Sequence, residues 1–199
     1  MRTAQALLFT LLIAGTAASA LAAWEEDITD FDRQRLAQLE DSRAKGLAEA
    51  DAGASEVDRN AIHSVLDPAG GPITAQELTG NWRCRIMKLG GLSPAMVYDW
   101  FSCRARQTNR GLFFEKLTGS ERLSGYLDAY EGGRFVLLGA ITVRDEKQKP
   151  YSGGNTGIGA PTSSSDVAGI VSSIGAGRAR IEFPYPAIES TFDVIELAR

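Results

Sequence analysis

From residue 6 to residue 14 the chain is almost continuously apolar. From residue 24 to residue 66 its apolar positions recur at helical spacing, and from residue 80 onward they alternate. The first run, Ala6 to Ala14, follows the single charge of Arg2 and precedes two small-x-small sites, Ala18-Ser19-Ala20 and Ala20-Leu21-Ala22. A charged start, a short apolar run and small residues at a cut point are the pattern of a secretory signal, which predicts an export segment over 1–22. The second region predicts two amphipathic helices. In the first, Ile28, Phe31, Leu36, Leu39 and Leu47 lie on one side, with Thr29-x-x-Asp32 as its cap. In the second, Ser55-x-x-Asp58 caps a face of Ala61, Ile62, Val65 and Leu66, and Asp67-Pro68 ends it.

The third region opens at Gly80-Asn81-Trp82-Arg83-Cys84-Arg85-Ile86. Period-two alternation puts Trp82, Cys84 and Ile86 on one face of a strand and the arginines on the other. Trp82 is large enough to plug the end of a small barrel, with its indole N–H bonded at the rim. Further strands are predicted over 96–106, 112–117, 122–128, 135–143, 167–174, 178–183 and 191–197, separated by turn residues such as Asn109-Arg110-Gly111, Glu131-Gly132-Gly133 and Gly175-Ala176-Gly177. About eight strands joined by short turns predict a mainly β protein: an antiparallel lipocalin-like barrel preceded by two α-helices. The alternative is an open antiparallel sheet or sandwich with the helices on one face. The implied organisation is an export segment (1–22), a helical segment (23–72) and a β-barrel domain (73–199). The irregular stretch 144–166 predicts a flap at the barrel mouth. Its Gly153-Gly154-Asn155-Thr156-Gly157 lacks the lysine and the strand–helix setting of a phosphate loop.

Composition narrows the chemistry. The chain carries a net charge of −4, and removing the export segment, whose one charged side chain is Arg2, makes the rest more acidic. That argues against a nucleic-acid partner. Two cysteines and one histidine do not supply a zinc site, and no metal or cofactor is expected. No later segment is long and apolar enough for a membrane span. With no second histidine and no obvious nucleophile beside it, His63 reads as an ordinary helix residue, and an enzyme is the least supported class. In Glu115-Lys116-Leu117-Thr118-Gly119-Ser120, alternation sends Glu115 and Lys116 to opposite faces, and Thr118 to Ser120 has the composition of a turn. Cys84 and Cys103, the only pair in a chain read as exported, are expected to form a disulfide. If both point to one face, Arg83, Arg85, Arg104 and Arg106 share the other. That row is either an anion or partner patch, or a solvated wall balanced by Glu182, Asp193 or Glu196.

Several stretches together carry a resemblance. They are Trp82-Arg83-Cys84-Arg85 with Lys88-Leu89-Gly90, Phe101-Ser102-Cys103-Arg104, Glu115 to Ser120 followed by Arg122 and Gly125, Leu138-Gly139-Ala140, and Glu182-Phe183-Pro184-Tyr185-Pro186 with Phe192 to Leu197. This set resembles an uncharacterised family of exported bacterial proteins, a domain of unknown function, over about residues 24–199. The resemblance implies export and a barrel-like body with a paired cysteine, and no activity. The Gly80-x-Trp82 start is similar to that of the lipocalins and, with one disulfide, to periplasmic inhibitors of secreted metalloproteases. The two preceding helices depart from those inhibitors. The expectation is a periplasmic or secreted binding module holding a small apolar or amphipathic ligand, with Trp82, Trp100, Phe101, Phe113 and Tyr126 as candidate contacts or as plain core filling. The alternative is an envelope interaction factor or protease-inhibitor-like barrel.

Overall fold

The computed structural model describes residues 23–152 and 165–199. The expected export segment, the Gly153–Gly157 stretch and most of the 144–166 loop expected to form a flap lie outside these residues.

Among the described residues, five helices precede the strands: α1 (Ala23–Asp27), α2 (Asp30–Ala37), α3 (Leu39–Gly53), α4 (Glu56–Leu66) and α5 (Ala75–Leu78). The two expected caps are present, with Asp32 N–H donating to Thr29 Oγ1 (3.2 Å) and Asp58 N–H to Ser55 Oγ (3.1 Å). The first helical stretch is not one helix. Thr29 starts a new helix after α1, and the chain bends at Gln38, whose N–H bonds Arg35 O. The bend brings Leu36 and Leu39 onto the same core.

Nine strands follow: β1 (Gly80–Leu89), β2 (Ala95–Val97), β3 (Phe101–Gln107), β4 (Leu112–Lys116), β5 (Glu121–Tyr130), β6 (Arg134–Val143), β7 (Asp166–Gly175), β8 (Arg178–Pro184) and β9 (Phe192–Ala198). Eight of them, β1 and β3 to β9, pair in order, and β9 returns to β1 from Arg83↔Ala198 to Leu89↔Phe192, closing an antiparallel barrel. Closure removes both sheet edges, which rules out the open sheet. The strand expected over 96–106 is two strands. Met96 pairs with Lys88 and faces the barrel interior side, while Phe101, Cys103 and Ala105 face inward farther on. Even numbers point inward before Tyr98 and odd numbers after it, so the ladder must break between them. β1 answers by pairing its first half with β3 and its last residues with β2.

Two apolar clusters result. The barrel interior is filled by Cys84, Cys103, Phe114, Leu127, Leu137, Ile181 and their neighbours. At one end Trp82 donates from Nε1 to Leu78 O (2.7 Å), and Leu78 on α5 with Ile73 closes that end. The second cluster lies outside the barrel, between the helices and a wall that includes Met87, Leu89, Ile170, Phe192 and Val194. Gly46 sets the approach of α3, since a Cβ there would lie 2.7 Å from Phe192 Cβ and 3.3 Å from Leu89 Cβ. The helices therefore pack on the outer wall rather than over the open end. They also bury charge. Arg180 on β8 donates from Nη1 to Val65 O (2.9 Å) and Pro68 O (2.8 Å), capping the C-terminus of α4. Glu182 receives Arg43 of α3 (2.7 Å) and Arg180 (2.9 Å).

Candidate functional site

At the Trp82 end a recess of about 320 Å³ is lined by Ile73, Glu77, Trp82, Arg178 and Arg199, and a second opening lies at the opposite end. There the last inward position of β1 is Lys88, that of β4 is Lys116, and the first of β5 and β9 are Glu121 and Asp193. The inward frames that carry Ile86, Phe114, Leu123 and Ile195 end in charge at this edge. Ile86, Leu123, Ile141, Val167, Phe183 and Ile195 form an apolar floor to a cavity of about 60 Å³. A second recess of about 180 Å³ adjoins it, sharing Ile86, Lys116 and Glu121 and adding Tyr98, Phe101 and Ser120. Exposed apolar side chains stand near this end: Met96 at 46% exposure, Ile188 at 57% and Val143 at 50%.

The four charged groups are held apart from one another. Lys116, only 4% exposed, donates from Nζ to Thr118 O (2.9 Å) and Glu121 O (2.5 Å), with the Phe101 ring 3.9 Å away. Lys88 donates outward to Glu189 Oε2 (2.7 Å). Asp193 Oδ1 accepts from Ser190 Oγ (2.6 Å). Among the described residues, no ion pair joins either lysine to Glu121 or Asp193, and no donor is bonded to the Glu121 carboxylate. Burial pushes Lys116 down to about 8 against the pull of Glu121, and Arg122 adds to the fall. Burial pushes Asp193 up to about 7, and the Glu121 and Glu189 carboxylates add to the rise. Burial also works against the charge of Lys88, but the Glu189 bond and the Glu121 and Asp193 carboxylates outweigh it and raise its pKa. The mouth therefore offers spare N–H donors, two carboxylates and an apolar floor at one small opening.

The five candidate aromatics do not share one cavity. Phe101 lies at the mouth. Trp82 is at the closed end, under Arg199, whose guanidinium carbon is 4.0 Å from its ring centroid. Phe113 and Tyr126 stack edge to face (4.8 Å) on the outer wall beside Arg110 and Asp128. Trp100 is outside, with Arg83 and Arg85 over its ring at 4.5 and 4.8 Å. Cys84 and Cys103 are joined across the β1–β3 pair with Cα atoms 5.8 Å apart, diagonal rather than directly opposite. Arg83, Arg85, Arg104 and Arg106 do face away from them, and most of that charge is answered. Arg85 meets Glu196 (2.7 Å), while Arg104 and Arg106 both meet Glu115 (3.0 Å each). Of the balancing residues expected, Glu196 serves this wall, Glu182 is under the helices and Asp193 is inside the mouth.

His63 bridges Asp51 (2.8 Å) and Asp67 (2.9 Å), tying α3 to the end of α4, and the two carboxylates raise its pKa, Asp67 first. Among the described residues no cluster of His, Cys, Asp and Glu is arranged to hold a metal, and no helix is long and apolar enough to cross a membrane.

A family model described as a domain of unknown function, DUF4893, matches residues 24–197. No curated protein and no solved structure matches the chain.

Proposed function

Starting from the fact that the chain belongs to the DUF4893 family, we propose that it is an exported, non-enzymatic binding module that takes a small amphipathic ligand in the barrel mouth. One observation carries this reading: at the mouth an apolar floor meets Lys88, Lys116, Glu121 and Asp193 at the ends of four inward-facing frames, with Arg35, Arg122 and Asp166 also on the lining. The geometry favours a shallow site rather than a hollow carrier, because the mouth cavity of about 60 Å³ is far below the roughly 300–1,000 Å³ of sites that engulf a drug-sized ligand. Export is supported by the signal pattern of residues 1–22 and by the disulfide, which persists in oxidising compartments. The arginine wall is the weaker candidate for a partner surface, since its charge is spent on Glu115, Glu196 and the Trp100 ring.

Native mass spectrometry of protein purified without detergent from the cell envelope tests the reading, with Ile141→Trp as the comparison, since it fills the floor. A reproducible extra mass is expected on the wild type and not on I141W. The same adduct on both proteins, or none on either, counts against the mouth as the binding site.

A further inference from the structure

We infer that the mouth is built for the zwitterionic head of a small apolar α-amino acid: carboxylate to Lys88 and Lys116, ammonium to Glu121 and Asp193, side chain onto the Ile86–Leu123–Ile141 floor. The inference rests on the mouth being a binding site and adds the chemical class of its occupant.

Opposite charges usually close on each other when they share a partly desolvated opening, because each unpaired ion there is costly. Here they do not. An ammonium has three N–H donors. Lys116 spends two of them on backbone carbonyls, and Lys88 spends one on Glu189, which lies toward solvent. Asp193 spends one oxygen on the Ser190 hydroxyl, and among the described residues the Glu121 carboxylate has no hydrogen-bond donor. Spare donors and spare acceptors thus line the same small cavity, whereas the other charged groups on its lining have partners of their own: Arg35 is bonded to Asp32 and Tyr185 O, Arg122 to Gly119 O and Asp166 to Ser152.

The choice among ligands follows from compensation. A simple carboxylate would pair the lysines and leave Glu121 and Asp193 facing a new anion. A simple amine would do the reverse. A head carrying both charges answers all four groups with charge-assisted hydrogen bonds. The floor beneath is wholly aliphatic apart from Phe183, and the cavity suits a branched or aromatic side chain of a few carbons rather than a long acyl tail.

The titration behaviour agrees with this geometry. Asp193 is ionised above about 7 and Lys116 protonated below about 8, so both are in the binding state between those limits. The groups acting on them are Lys88, Glu121, Glu189 and Ser190 around Asp193, and Glu121 and Arg122 around Lys116. Affinity should peak in that interval and fall on either side.

Isothermal titration calorimetry of the mature protein at pH 7.5 provides the test. The probes are L-valine, L-leucine and L-phenylalanine, then 4-methylpentanoate, which lacks the ammonium of leucine, and 3-methylbutylamine, which lacks its carboxylate. At least one amino acid is expected to bind, leucine being at least tenfold tighter than either truncated analogue if it is that one. Lys116→Met and Glu121→Gln should each weaken it at least tenfold while keeping the wild-type circular dichroism. An analogue that binds as tightly as the amino acids overturns the zwitterion and leaves the mouth as a binding site. No heat from any of the five overturns the amino-acid inference, while the mouth as a binding site is overturned separately, by an adduct that I141W retains or that neither protein carries.

Discussion

Lys116 and Asp193 are held near neutral pH by the same cause, burial at the barrel edge, with opposite consequences for stability. Lys116 titrates at about 8 in the fold against an ordinary 10.5, so its penalty is complete below 8 and relieved as the pH rises from 8 towards 10.5. Lys116→Met should therefore stabilise the protein by about 1–2 kcal/mol at pH 7, since an apolar isostere of a buried ion is often the more stable residue. The gain should shrink across that alkaline interval in denaturant titrations. Asp193 is raised from an ordinary 3.8 to about 7, so its protonated form favours the fold at low pH and that contribution is lost as the pH rises to 7. Asp193→Asn should have a higher Tm than wild type at pH 8 and match it below pH 4. Retaining two groups that cost stability at one opening is the trade expected of a functional site. Lys116 lies two positions after Phe114 and Asp193 two before Ile195, at the ends of inward-facing frames, but the sequence reading put Asp193 among the charges that balance the arginine wall. Alternation alone does not say that these four strand ends meet at one edge. That depends on register around the closed barrel.

At the scale of elements, local patterns were read correctly wherever one period held, and misread where the frame changed. The strands from β4 to β9 fall close to their alternating runs, and both Ser/Thr caps form. The stretch 96–106 failed because Val97, Phe101 and Cys103 share one two-residue frame in sequence, yet Val97 packs with the outer cluster and Phe101 and Cys103 with the interior, so the facing flips where the chain breaks between β2 and β3. The helices contact the barrel through small residues that a search for apolar stripes passes over. The buried positions of α3 are Leu39, Ser42, Gly46 and Ala50. Gly46→Ala should push α3 off β1 and β9 and cost about 1–3 kcal/mol, as overpacking does, which chemical denaturation would measure. The Cys84–Cys103 link spans 19 positions between β1 and β3. Replacing both cysteines by serine should cost about 3 kcal/mol by the chain-entropy account and lower Tm without loss of strand content by circular dichroism.

For the whole molecule, alkaline phosphatase joined after residue 30 should be active in cells, and removing residues 2–22 should abolish that activity. An inactive full-length fusion would refute export. Alternation, turns and length were enough to specify a mainly β chain of about eight barrel strands with helices ahead of it, because a period of two has one face to bury and short turns allow only antiparallel neighbours. The disulfide could be expected from the only two cysteines of a chain that opens on an export pattern. Tertiary structure decided the rest. Closure through the β1–β9 ladder placed Trp82 at one end, against Leu78 of α5, and gathered Lys88, Lys116, Glu121 and Asp193 at the other, from four different strands. Docking of α2, α3 and α4 turned the alternate residues of β8 from a solvated row into buried caps and ion pairs. Strand register spread the five aromatics over four places: Phe101 at the mouth, Trp82 at the α5 end, Phe113 with Tyr126 beside Arg110, and Trp100 under Arg83 and Arg85. A residue's face is a local property of the strand, whereas what that face meets depends on which elements the rest of the chain brings against it.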